Sequence, residues 1–69
     1  MNIATFLELK LKFGDNIYIV DEKGEGWVGV FQNGYDYRKN TFNFHNFSKG
    51  KAQTIEVSKL QRLDINQRA

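Results

Sequence analysis

Sixty-nine residues with a net charge of +2 leave room for one small domain, and a chain this short buries only about 60% of the surface its unfolded form exposes. Cysteine is absent, so neither a disulfide nor a thiolate metal site supports the core, and nothing points to an oxidising compartment. The start lacks the basic residues of a secretion signal and no apolar run approaches the roughly 18 residues of a membrane span, so a soluble, cytoplasmic protein without a membrane partner is expected.

In chain order, Leu7, Leu9, Leu11 and Phe13 alternate with Glu8, Lys10 and Lys12, a period of two that predicts a strand with one buried face. Ile3, Phe6, Leu7 and Leu11 behind Asn2 as a cap also suit a short N-terminal helix, so residues 2–12 admit both readings, with the strand favoured because it uses Leu9 and Phe13. Residues 1–6 and 66–69 are expected to fray. Gly14-Asp15-Asn16 reads as a turn, Ile17 to Val20 as a strand, and the acidic, glycine-bearing Asp21 to Gly26 as the next turn. Trp27 to Gln32 is apolar on both faces, as in a central strand, and Gly29 within it suggests a bulge or a tight bend.

Asn33-Gly34 suits a two-residue type I′ turn, and residues 35–40 admit either a returning strand or a wide loop. Thr41 to Phe47 places Phe42 and Phe44 on one side with Asn43 and His45 on the other. After a turn at Ser48 to Lys51, Gln53 to Val57 forms a strand, Ser58 to Leu60 one helical turn, and Gln61 to Ile65 a strand that closes the sheet. The class is all-β, a five-stranded small barrel in one domain spanning residues 1–69.

Glu8-Leu9, Leu11-Lys12, Gly14-Asp15, Ile17, Ile19-Val20, Gly26-Trp27 and Gly29 resemble the diverging turn and the second and third strands of SH3 domains. The resemblance implies an SH3-like barrel with Trp27 on a ligand groove. Too few residues precede Glu8 for the long acidic loop of that family, and no proline stands near the last helical turn, so polyproline binding is not implied. Gly14-Asp15, Trp27, Gly29, Gln53, Val57, Leu60 and Arg62-Leu63 are also similar, in order, to the plasmid-type, trimethoprim-insensitive dihydrofolate reductases. The pore triplet Gln-Ile-Tyr of those enzymes reads Gln53-Thr54-Ile55 here, without the tyrosine that makes the main polar contact. Phe42 to Ser48 is faintly similar to the aromatic-histidine strand of cold-shock domains, without its companion lysine-tryptophan strand. A compact, cysteine-free chain rich in lysine, asparagine and phenylalanine resembles the accessory proteins of phages and other mobile elements, among them inhibitors of host defence nucleases.

Catalytic chemistry is scarce. His45 is the only histidine, and a triad around it would need Ser48 or Ser58 without supporting context. Asp21, Glu22 and Glu25 match no calcium loop, and Gly24 and Gly26 lack the helix of a phosphate cradle. A non-enzyme without cofactor or metal is expected.

The aromatic excess carries more information: Trp27, Phe31, Tyr35, Tyr37, Phe42, Phe44 and Phe47 are seven aromatics within 21 residues. The phenylalanines are expected in the core. Trp27, Tyr35, Tyr37, Arg38 and Lys39 suit a protein-binding hot spot, and a protein partner is the leading expectation. Arg38, Lys39, His45, Lys49 and Lys51 form the alternative, a nucleic-acid platform of rings and phosphate-following cations. Residues 1–36 carry net charge −3 and residues 37–69 net +5. Either the halves form separate faces, or their strands interleave and the charges mix. Five short strands leave edges at which a second copy could pair.

Overall fold

A computed structural model describes residues 1–32 and 34–69. Helix α1 (Ile3–Glu8) precedes strands β1 (Asn16–Val20), β2 (Gly26–Phe31), β3 (Thr41–Asn46) and β4 (Lys51–Glu56), a 3-10 turn (Val57–Lys59), and β5 (Arg62–Gln67). The five strands form one antiparallel sheet in the order β4-β3-β2-β1-β5. The fold is therefore all-β with one short helix, as the alternating pattern predicts. The Asn33-Gly34 turn predicted from sequence includes Asn33, which lies outside the described residues.

The N-terminal dozen residues contain the helix, not the favoured strand. Asn2 caps it, accepting the Thr5 N–H at 2.8 Å, and satisfies one of the donors that a helix start leaves open. Phe6 alone of this helix is buried, stacked 5.3 Å from Phe42 and tilted 5.0 Å from Tyr35. The Leu7 to Phe13 alternation is not a sheet face: Leu9 and Leu11 pack against the core, while Leu7 and Phe13 are exposed. The strands predicted from Ile17 and from Trp27 are consequently the first and second of the sheet.

The predicted hairpin turns close through side chains. Asp21 Oδ1 accepts the Lys23 and Glu25 N–H groups, each at 2.9 Å, around Gly24 at a φ of +84°. Asp36 bridges Thr41 and accepts the Arg38 and Lys39 N–H groups at 2.9 and 3.2 Å, so residues 36–41 form a closed turn and not a returning strand. Asn46 is fully buried, with Oδ1 accepting the Lys49 N–H and Nδ2 donating to Gln53 Oε1.

Alternation places Ile17 and Ile19, Phe31, Phe42 and Phe44, and Leu63 inward, where they join Phe6, Val57 and Leu60 as the core. Phe47, expected among the core phenylalanines, is half exposed: the inward Asn46 precedes it, so strand parity turns its ring outward, edge-on to His45 at 5.9 Å. Gly29 is not a bulge, because pairing with β1 continues unbroken through it. Close approach is the reason for glycine, since a Cβ there would lie 2.0 Å from the His45 carbonyl oxygen and 2.6 Å from the Phe44 ring.

Neither end is a free tail. The Met1 ammonium donates to the Leu60 carbonyl, and β5 runs on to Gln67. The fully buried Asp15 then accepts the Lys12 N–H at 2.9 Å and the Ala69 N–H at 2.8 Å, and pairs with Arg68 at 3.3 Å. That pair joins an acidic residue of the first half to a basic residue of the second.

Candidate functional site

Trp27 lies at the start of β2 with the inward-facing residues, opposite Ile19 of β1. Its indole Nε1 donates to Asp21 Oδ2 at 3.2 Å, and the Lys49 ammonium lies 4.7 Å from the ring centroid. Asp21 thus both closes the β1–β2 turn and orients the indole. The Trp27 N–H first, then the Glu25 and Lys23 N–H groups, hold the Asp21 carboxyl below its ordinary value of 3.8.

The sheet leaves a seam beside this ring. β4 pairs with β3 alone and forms one edge, and its free side lies across from the Asp21 turn. An open groove of about 310 Å³ fills the gap, at the small end of ligand-binding clefts. Ile19, Trp27, Ile55 and Leu60 supply its apolar lining. Asp21, Glu22 and Glu25 stand on one wall, and Gln53, Thr54 and Glu56 on the other.

Backbone pairing determines what the β4 wall offers. The Val57 N–H donates to the Asn40 carbonyl at 2.9 Å, which sets the alternation of the β3–β4 ladder. Lys51, Gln53 and Ile55 then bond across to β3, and the N–H and C=O groups of Ala52, Thr54 and Glu56 face the seam. Among the described residues no other element bonds them.

The structure separates the predicted partner-binding residues. Tyr35, Tyr37, Arg38 and Lys39 lie in the β2–β3 connection, beyond the far end of β2 from Trp27; the strand alone spans roughly 13 Å between Trp27 and Phe31. Tyr35 serves the fold, half-buried on Phe6 with its hydroxyl donating to Asn40 Oδ1 at 2.8 Å. Tyr37 is 72% exposed, with the Arg38 guanidinium 5.9 Å from its ring, so it and its basic neighbours form a small surface cluster of their own.

Of the nucleic-acid candidates, Lys49 reaches Trp27, Lys51 begins β4, and His45 projects from the opposite face of β3 beside Phe47. Arg38 and Lys39 precede the start of β3, whereas Lys49 and Lys51 follow its other end at Asn46. Ile55, Leu60, Glu56 and the acidic turn are groove residues that the sequence did not group with Trp27 as a partner-binding site. Alternation does place Gln53 and Ile55 on one face, but the unpaired edge beside them is a property of strand order.

Among the described residues no group of three or more His, Asp or Glu side chains gathers as a metal site, and no helix is long and apolar enough to cross a membrane. Comparison of the chain with protein-family models, with curated proteins and with solved structures returns no match.

Proposed function

We propose that the chain is a non-catalytic binding module that docks on a protein partner through the Trp27 groove. The observation that carries this reading is the tryptophan itself, held by Asp21 on the lining of an open seam. A large ring held on an open groove with a charged rim has the composition of an interface hot spot. An SH3-like barrel is part of the proposal. The order β4-β3-β2-β1-β5 with a 3-10 turn before the last strand supports it, although the resembling residues occupy the first two strands. The compositional likeness to mobile-element accessory proteins makes host machinery, such as a defence nuclease, the class of partner to try first.

Nucleic-acid binding is the second reading, favoured by the Lys49 ammonium beside Trp27. Titrating the fluorescence of this single tryptophan with single- and double-stranded oligonucleotides at low and moderate salt separates the two. The protein-binding reading expects no saturable change. A saturable signal that weakens steeply with salt, the mark of counterion release, would replace it with the nucleic-acid one. Capture of host proteins lost with Trp27→Phe and kept with Tyr37→Ala supports the groove; capture unaffected by the Trp27 change overturns it.

A further inference from the structure

The groove has two chemically different walls, and together they specify what fits between them. On the β4 side, the N–H and C=O groups of Ala52, Thr54 and Glu56 form an unpaired strand edge, the template for adding one more extended strand. Across from it, Glu22 and Glu25 are exposed and make no ion pair among the described residues, with Lys23 the one base in their turn. Glu56 on the edge already pairs with Lys59 at 3.8 Å. The turn therefore carries net charge −2, Asp21, Glu22 and Glu25 against Lys23, with Lys49 and Lys59 also on the groove lining.

Between the walls, the Trp27 ring already carries a cation. Lys49 reaches it from the β3–β4 turn and makes no ion pair among the described residues, so the face of the indole is a place in the seam that favours a positive side chain. Building on the groove reading proposed above, we infer that the seam takes an extended basic segment of a partner protein. That segment pairs through its backbone with Ala52, Thr54 and Glu56, and a Lys or Arg side chain takes the place of Lys49 over Trp27 between the ring and the Glu22 and Glu25 carboxylates. Lys49 is then an internal stand-in that the segment displaces.

The stand-in makes the sign of one variant diagnostic. Lys49→Ala removes a competing cation, so it tightens a basic segment severalfold, whereas it weakens any anionic occupant, nucleic acid included. The test pans a displayed library of random peptides against the folded chain, then titrates the enriched peptides into isotope-labelled protein while following the amides of Ala52, Thr54 and Glu56 and the Trp27 indole N–H by NMR.

Enriched peptides are expected to carry Lys or Arg among β-forming residues and to shift all four signals. They are expected to lose about tenfold in affinity, the factor that 1.4 kcal/mol represents, when the basic residue becomes Glu or when alternate peptide amides are N-methylated, a change that leaves the protein untouched. Peptides that shift the indole without a basic residue, or that tolerate N-methylation, overturn this inference and leave the groove reading standing. Failure of every peptide to move the indole overturns both. Concentration-dependent shifts of the three β4 amides without peptide would assign the edge to a second copy instead.

Discussion

Asp15→Asn tests the physical basis of the fold at its most constrained point. The carboxylate is fully buried and accepts two main-chain N–H groups, from Lys12 at 2.9 Å and Ala69 at 2.8 Å, besides its pair with Arg68 at 3.3 Å. An asparagine keeps one acceptor oxygen and turns an NH2 group toward one of those donors. The loss of charge-assisted bonding and one buried unsatisfied donor together cost about 2 to 4 kcal/mol. Arg68 is half exposed, so its share is small beside the two N–H bonds. For a chain of this size the whole stability is on the order of 3 to 10 kcal/mol. The variant should therefore unfold in urea with its midpoint lowered by about 2 M or more at an m-value near 1 kcal/mol/M.

The pH dependence has a definite sign. The Ala69 and Lys12 N–H groups, then Arg68, hold the folded-state pKa of Asp15 below its ordinary 3.8 against the opposing effect of burial. A depressed carboxyl pKa contributes stability that is fully present above the unfolded value and is lost as pH falls from there through the folded value. Wild type should lose stability below about pH 4, and Asp15→Asn should show a flatter profile over the same window. A midpoint unchanged by the substitution, or parallel acid profiles, would mean that the Asp15 carboxylate does not hold Lys12 and Ala69 in this way.

Other positions isolate other parts of the structure. Gly29→Ala forces a methyl to within 2.0 Å of the His45 carbonyl oxygen and should cost about 1 to 3 kcal/mol in urea unfolding; a neutral effect would mean that β2 and β3 are not so closely apposed. Lys10 sits just past α1 at a φ of +51°, where glycine is preferred, so Lys10→Gly should raise stability by about 0.5 to 1 kcal/mol, read by the same assay. Tyr35→Ala should lower the melting temperature through lost packing on Phe6 and the lost bond to Asn40, whereas Tyr37→Ala should leave it unchanged. Equal effects would contradict the placement of these two rings.

The hairpins were legible because each rests on local information. Ile17 and Ile19, then Phe42 and Phe44, declare their buried faces by alternation, and Asp21 and Gly24 mark a turn by their own chemistry. The N-terminus was harder to read because Leu7, Leu9, Leu11 and Phe13 alternate like a strand. A single capped turn that buries Phe6 decides the matter in tertiary context. Phe47 went outward because the buried polar Asn46 took the inward position, and composition gives no sign that an asparagine would outrank a phenylalanine there. The structure does not gather beside Trp27 the residues that the sequence grouped with it. Trp27 and Tyr35 are near in sequence but separated along β2, while Leu60 comes to Trp27 through the pairing of β5 with β1, and Ile55 through the position of β4 at the sheet edge.

Native-state hydrogen exchange on the free protein reads whether the seam beside β4 is open, because amides bonded within a sheet exchange only through opening. Along β4, the amides of Lys51, Gln53 and Ile55 should be protected by their bonds to β3, and those of Ala52, Thr54 and Glu56 should exchange rapidly. Slow exchange at Thr54 and Glu56 equal to that of Gln53 and Ile55 would mean that the edge is already paired, and would contradict a groove open beside Trp27.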